Sequence, residues 1–138
     1  MTTAEILAEG VKVIFGKDCL EVNGIKYHHH PNGGGLVAKT ALVSPTAFVG
    51  PNAMVRDRAR VLDNAQVCDH AEVLNFAVVR GNAQVLNNAK VGGSAVVADD
   101  VIVRDNALVC GKIELSGDFM VGGSVRLCRN NLLEGTLK

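Results

Sequence analysis

The sequence predicts an all-β protein, a parallel β-helix of about 5.7 triangular coils of 18 residues that follows a small N-terminal cap. The first observation behind this prediction is a six-residue repeat that runs without a gap from Gly35 to Thr136. The second is the composition, because 48% of the residues are hydrophobic but only 4% are aromatic. The third is the presence of turn-forming residues at a fixed place in most repeats. We therefore divide the 138 residues into a cap over residues 1–34 and a β-helix over residues 35–138.

Each repeat has two inward positions and one outward position. The third position of all 17 repeats is aliphatic, valine in 14 of them, and the first position is alanine in 11. Since successive side chains of a strand point to opposite faces, the first and third positions lie inward and the second lies in solvent. Alanine keeps this interior narrow and valine fills it, which explains a hydrophobic chain with few aromatic residues.

Positions four to six of each repeat predict a corner. They are rich in pairs such as Asp-Asn, Gly-Asn and Gly-Gly, which tolerate the left-handed backbone that a tight corner requires. Each repeat is thus a short strand followed by a corner, and three repeats close one triangular coil. Residues 18 apart then lie on neighbouring coils, about 4.8 Å apart along the axis.

The cap is predicted to be a short helix followed by strands. Thr3 can cap a helix that runs through Glu9 and stops at Gly10. Asn23-Gly24 is a two-residue hairpin turn between the last two strands. The predicted strands are Val11 to Phe15, Cys19 to Val22 and Ile25 to His30. We expect this segment to cover the open edge of the first coil, which would otherwise recruit other chains.

The segment Gly33-Gly34-Gly35-Leu36-Val37-Ala38 and the Ala-x-Val repeats after it resemble the hexapeptide-repeat proteins. The resemblance covers about three quarters of the chain and is greatest to small bacterial and phage-borne members described as acyltransferases. It implies that the β-helix is left-handed and that the protein is a homotrimer with sites between its subunits. For many members it also implies an acyl donor, either acyl-CoA or acyl carrier protein.

His70 is the only histidine inside the repeat and is the candidate catalytic residue. The resemblance implies a histidine that deprotonates the acceptor as general base. Enzymes of the family generally also have a long loop within the repeat and a terminal helix, and the sequence predicts neither. We therefore expect a non-catalytic ligand-binding or assembly protein without a cofactor. The alternative is an acyltransferase that uses acyl-CoA with His70 as base.

The charge balance and the cysteines exclude several other classes. The 14 basic residues equal the 14 acidic ones, so no excess of positive charge favours nucleic-acid binding. No run approaches the roughly 18 apolar residues of a membrane span, and the N-terminal residues do not form a signal peptide. Cys110 and Cys128 would lie within disulfide reach on neighbouring coils. Because the four cysteines have no metal or secreted-scaffold spacing, we expect free thiols and a cytoplasmic protein.

The run His28-His29-His30 raises the question of a metal site. In a strand, His28 and His30 share a face, so two ligands are available. Further ligands are not visible nearby, and polar strand residues before Pro31 explain the run without a metal. We expect no metal site and keep His28 and His30 as a weak alternative.

An apolar group among the outward positions predicts a contact surface between subunits. Most second positions are charged or amide residues, as expected for solvated faces. The exceptions lie on one corner and the face beside it, and an exposed group of this kind marks a contact surface. The predicted trimer interface comprises Leu74, Phe76, Val78 and Val96.

The same corner predicts a ligand site near the subunit interface. A Gly-Gly-Ser corner would leave a notch with approachable backbone amides, the Phe76 ring offers a flat surface, and basic residues offer charge for phosphates. This combination suits a small anionic molecule with a ring, such as a nucleotide or the adenosine end of CoA. The alternative is that the glycines only make a tight corner and that Phe76 only packs in the trimer. The predicted ligand-binding residues are Arg56, Arg58, Phe76, Gly92, Gly93, Ser94 and Lys112.

Overall fold

The computed structural model describes residues 4–8, 11–15, 19–22, 24–129 and 132–135, with side chains over residues 24–128. Regular secondary structure in these ranges is entirely β-strand. They therefore contain no helix that is long and apolar enough to cross a membrane.

Four antiparallel strands precede the β-helix. They are β1 (Ala4–Ala8), β2 (Val11–Phe15), β3 (Cys19–Val22) and β4 (Ile25–His29). The strands predicted for the second half of the cap are confirmed, with β4 ending one residue before the predicted His30. Val22 pairs with Ile25, which is the register that a two-residue turn between them requires.

The predicted N-terminal helix is wrong, because Ala4–Ala8 forms β1. This strand pairs antiparallel with β2 in a register that joins Ala4 to Phe15 and Ala8 to Val11. A helix of one or two turns is marginal on its own, since nucleation costs more than a few hydrogen bonds return. The neighbouring β2, rich in β-branched residues, offers instead a partner strand for the backbone groups of β1.

The repeats form three parallel sheets, which we call faces A, B and C. Face A contains β5 (Leu36–Ala38), β8 (Met54–Val55), β11 (Glu72–Val73), β14 (Lys90–Val91), β17 (Leu108–Gly111) and β20 (Arg126–Arg129). Face B contains β6 (Leu42–Val43), β9 (Arg60–Val61), β12 (Val78–Val79), β15 (Val96–Val97), β18 (Glu114–Gly117) and β21 (Leu132–Gly135). Face C contains β7 (Phe48–Val49), β10 (Gln66–Val67), β13 (Gln84–Val85), β16 (Ile102–Val103) and β19 (Met120–Val121). Partners on each face are 18 residues apart, as Val73 and Val91 are, so the stacked coils are the predicted parallel β-helix.

The core is the narrow interior of this triangle. First-position alanines and third-position valines are almost all inaccessible, with Ala77, Val79 and Val85 at 0% exposure. Outward second positions beside them, such as Arg60 and Lys90, are exposed. The gapless repeat therefore predicts both the strands and the side that each strand buries.

The cap continues two faces of the first coil. Strand β4 pairs antiparallel with β5, so the cap and face A form one ten-stranded sheet across the predicted boundary at residue 34. Over face C, the amide of Val49 donates to the carbonyl of Asn32 at 3.0 Å. On face B, β6 is the edge strand of the described sheet.

An acceptor ladder of Asp and Asn side chains holds the corners. The fifth position of seven repeats is an Asp or Asn with a left-handed φ between 56° and 59°. Such a side chain accepts the backbone amide 18 residues further on, as when Asp57 Oδ2 accepts from Asn75 N at 3.0 Å. The ladder continues where Asn75 Oδ1 accepts from Gly93 N at 2.9 Å. Asp and Asn thus tolerate the strained backbone and also link one coil to the next.

Candidate functional site

The corner between faces A and B, which we call corner AB, contains the predicted ligand-binding residues, spread over four coils. The outermost column of this corner contains Thr40, Arg58, Phe76, Ser94 and Lys112, one from each successive coil. Backbone hydrogen bonds fix its spacing, since Arg58 N donates to Asn75 O and Phe76 N donates to Gly93 O, both at 2.8 Å. Neighbours in the column are therefore about 4.8 Å apart along the axis.

An open pocket of about 360 Å³ lies where corner AB meets face B. Its walls are Thr40, Leu42, Arg58 and Arg60. Thr40 Oγ1 donates to the carbonyl of Asp57 on the next coil. Among the described side chains, no carboxylate lies within 4.0 Å of Arg58 or Arg60. The pocket thus combines one apolar wall with two guanidinium groups that no described carboxylate pairs with.

Phe76 follows Arg58 in the column and is the most exposed large hydrophobic residue that the structure describes. Its relative exposure is 61%, and that of Leu42 in the pocket wall is 55%. Phe76 lies one coil beyond the pocket walls, and an aromatic ring left in water can stack on a planar ligand or pack against another chain. The predicted proximity of Phe76 to Arg58 is therefore present in the structure.

The Gly92-Gly93-Ser94 corner does not offer the predicted approachable amides. Gly92 N donates to Val109 O at 2.7 Å, Gly93 N to Asn75 Oδ1 at 2.9 Å, and Ser94 N to Gly111 O at 2.7 Å. A Cβ on Gly92 would lie 3.4 Å from Leu74 Cγ, and one on Gly93 would lie 2.5 Å from Gly111 N. The glycines therefore serve close packing of the corner, which leaves the Ser94 side chain as the polar group of this segment.

Arg56 is separated from the pocket by its ion pair on face A. Its Nε lies 3.5 Å from Glu72 Oε1, and Lys90 Nζ lies 3.5 Å from Glu72 Oε2. Burial raises the pKa of the nearby Tyr27 phenol, Arg56 opposes this shift, and Asp57 and Glu72 add to it. Arg56 therefore neutralises a carboxylate instead of facing a ligand.

Lys112 is exposed, and among the described side chains no carboxylate lies within 4.0 Å of it. It stands three coils from Arg58, about 14 Å along the axis. One phosphate cannot contact both residues of the same chain, so the predicted site is more extended than the sequence suggests.

The predicted interface residues divide between the two sides of corner AB. Phe76, Val78 and Val96 lie on the face B side, where Val78 and Val96 are half-buried neighbours in β12 and β15. Leu74 is half-buried on the other side, against Gly92.

Sequence reasoning missed Thr40, Leu42 and Arg60 as site residues. The second position of one repeat adjoins the sixth position of the repeat before it, and this adjacency places Arg60 beside Arg58. Reading the two columns together would have identified the pocket.

His70 lies at the corner between faces C and A, away from the pocket. It is exposed, and its backbone amide donates to Asn87 O at 2.9 Å. No hydrogen bond to its ring occurs within residues 24–128. The structure therefore does not bring His70 together with Arg58 and Arg60, since face A separates the two corners.

The N-terminal histidines hold the loop that follows β4. His30 is 4% exposed, and its Nε2 donates to Ala47 O at 2.8 Å. His29 Nδ1 donates to Gly34 O at 2.8 Å. In the part of the chain that the structure describes, no three His, Cys, Asp or Glu side chains are grouped as a metal site would need, and this holds for His28 and His30.

The expectation of free thiols at residues 110 and 128 is wrong. Cys110 and Cys128 form a disulfide, with their Cα atoms 4.4 Å apart on neighbouring coils. Among the described side chains, Cys68 remains a free thiol, and burial together with Asp69 raises its pKa. These two cysteines therefore do not support a reducing compartment, and the cytoplasmic location stays a prediction.

No protein-family model, curated protein or solved structure matches this chain. The resemblance to hexapeptide-repeat proteins thus stays a prediction that depends on the repeat.

Proposed function

We propose that the protein is a non-catalytic, ligand-binding β-helix that holds a small anionic molecule with a ring, such as a nucleotide or CoA, at corner AB. The observation that carries this proposal is the pair Arg58 and Arg60. Both guanidinium groups line one pocket, and no described carboxylate neutralises either of them.

The chemistry of the pocket matches a phosphorylated ligand. A guanidinium group binds two phosphate oxygens through a planar pair of donors, so Arg58 and Arg60 can share a phosphate or bind two adjacent ones. The Leu42 wall and the exposed Phe76 ring would contact the apolar or planar part of the same ligand. The pocket volume, about 360 Å³, lies within the common range of small-molecule sites.

Acyl transfer with His70 as general base is the alternative, and the geometry does not favour it. A general base must reach the proton that it abstracts within hydrogen-bond distance or through one water molecule. His70 lies at a different corner from Arg58 and Arg60. Acyl-CoA is therefore a candidate ligand of the pocket and not the expected substrate of His70.

Calorimetric titration with ATP, CoA and pyrophosphate tests this proposal. We expect Arg58→Ala to weaken the binding of all three by about tenfold or more, because each loses a charge-assisted contact. Phe76→Ala should weaken ATP and CoA but leave pyrophosphate unchanged, since pyrophosphate has no ring. The matched control is Arg80→Ala, which removes an exposed arginine from another corner.

Equal affinity in the Arg58→Ala and Arg80→Ala proteins would overturn the proposal. Turnover of acetyl-CoA that disappears in His70→Ala but persists in Arg58→Ala would establish the acyltransferase alternative in its place.

A further inference from the structure

Face B carries an outward column whose charges are arranged symmetrically. The column has one second-position residue in each strand, and the register stacks these residues directly. Among the side chains that the structure describes they are, in order along the axis, Leu42, Arg60, Val78, Val96 and Glu114. Arg60 and Glu114, which have opposite charges, are placed symmetrically about the two valines.

The two charges of this column have no partner within the described chain. No described side chain of opposite charge lies within 4.0 Å of Arg60 or Glu114, and about 14 Å of the axis separates them. On face A, in contrast, Glu72 and Lys90 are adjacent and pair with each other. Second positions of face C carry no charge. Arg126 of face A is also unpaired among the described side chains, but face B is the face that carries unpaired outward charges of both signs.

We propose that face B binds face B of a second copy of this chain, with the two β-helix axes antiparallel, in place of the trimer that the resemblance implies. A two-fold axis that passes between Val78 and Val96, along the strand direction, places Arg60 opposite the partner subunit's Glu114. The same axis places Val78 opposite the partner subunit's Val96. A parallel arrangement would instead bring like charges together, which is unfavourable. The charges of the face B column therefore select the antiparallel dimer.

The dimer also changes corner AB. The same two-fold axis brings Arg58 toward the partner subunit's Lys112, and Phe76 toward the partner subunit's Ser94. In the dimer Arg60 pairs with the partner subunit's Glu114, so the charges that remain for an anionic ligand are Arg58 and the partner subunit's Lys112. These two cations lie at one level, one coil from Phe76, and an anion between them would offset their repulsion. This consequence rests on the proposed function, whereas the dimer follows from face B alone and is tested without ligand.

Charge exchange tests the antiparallel pairing by sedimentation velocity. We expect the native protein to have a mass of twice 14.5 kDa. Arg60→Glu places two carboxylates opposite each other, and Glu114→Arg places two guanidinium groups opposite each other. Each single variant should dimerise at least about tenfold more weakly. The double exchange should restore the native dimer, and an equimolar mixture of the two single variants should form a heterodimer.

Gln66→Glu is the matched control, because it adds a charge at a second position of face C and should leave the dimer intact. Circular dichroism confirms that each variant is folded. A native mass of three chains would overturn the proposal, since a cyclic trimer cannot be built from a two-fold contact. A monomer at all concentrations, or folded single variants that remain apart when mixed, would overturn it as well. Loss of ligand binding with an intact dimer would count against the proposed function and not against the interface.

Discussion

Arg56 and Arg58 belong to the same coil of corner AB but meet different neighbours. Arg56 pairs with Glu72 on face A, and Lys90 completes that ion cluster. Arg58 opens toward face B, where Phe76 and Val78 of the next coil carry no charge. Whether an arginine at this corner is free to bind a ligand thus depends on the side chain beside it on the next coil, about 18 residues further on.

The same contrast extends to the whole of faces A and B. Face A is joined to the cap, pairs its central charges, and ends in a disulfide between β17 and β20. Face B begins with an edge strand and leaves Arg60, Glu114 and an exposed Leu42 in solvent. The same interior therefore supports two different surfaces. Face A pairs its central charges within the chain, whereas the charged and apolar side chains of face B are free to bind.

The largest expected effect, on the free energy of unfolding, comes from a charge placed in the interior that the three faces share. Val85→Asp places an unpaired carboxylate at a position with 0% exposure and should lower the free energy of unfolding by about 5 kcal/mol. The adjacent Gln84→Asp, at an outward position, should change it by less than about 1 kcal/mol. Urea unfolding followed by circular dichroism measures both. Similar losses in the two variants would contradict the assignment of inward and outward positions.

A smaller effect on the free energy of unfolding is expected from the disulfide at the end of face A, a link that joins β17 to β20. Cys110 and Cys128 close a loop of 18 residues and so restrict the unfolded chain. Removing the link with a dithiol reductant or with Cys110→Ser should lower the free energy of unfolding by about 3 kcal/mol. Cys68→Ser, which leaves the link in place, is the control. An unchanged urea midpoint after reduction would show that the disulfide does not secure this end.

The smallest effect is a shift in the titration of Tyr27 beside the ion cluster of face A. The protein has one tyrosine and no tryptophan, so phenolate absorbance reports this side chain alone. Burial raises its pKa in the folded state, and the native midpoint should exceed that of the denatured chain. The folded state then keeps a proton that the unfolded state has lost, so stability should fall as pH rises above the unfolded value.

Two variants separate the charges that act on Tyr27. Glu72→Gln should lower the pKa of the phenol, because it removes a charge that raises it, and Arg56→Ala should raise that pKa further. Identical native and denatured midpoints would contradict the packing of Tyr27 against face A.

Most of the fold could be predicted from the sequence because its period is short and each position has one physical role. Val79 and Val85 are buried since they occupy the third position, and Arg60 is exposed since it occupies the second. The structure of Ala4–Ala8 could not be predicted in this way because the segment lies outside the repeat. Its residues favour a helix locally, and the pairing with β2 that makes it a strand is not visible in the sequence. The Cys110–Cys128 separation was read correctly as one coil, but geometry alone does not fix the oxidation state.

The site was harder to predict than the fold. The sequence indicates that another group can approach Gly92 and Gly93 closely, but it does not say which group. The hydrogen bonds show that neighbouring coils, and not a ligand, occupy these two amides. Likewise, the sequence alone does not distinguish Arg56 from Arg58 as ligand-binding residues. The structure does so, because it places Glu72 beside Arg56. Availability of a polar group depends on contacts between coils, which a one-dimensional repeat does not describe.

The repeats with alanine at the first position and valine at the third are interchangeable inside the triangle, and this has a consequence for how such a chain can change during evolution. Deleting one of these six-residue repeats between Arg60 and Glu114 would return alanine and valine to the interior at that point. All the residues that follow would then move round by a third of a turn, so Glu114 would leave the column of Arg60 for a different face. Such a deletion is neutral for the core while it recombines the surface, which allows new binding faces to arise without any substitution.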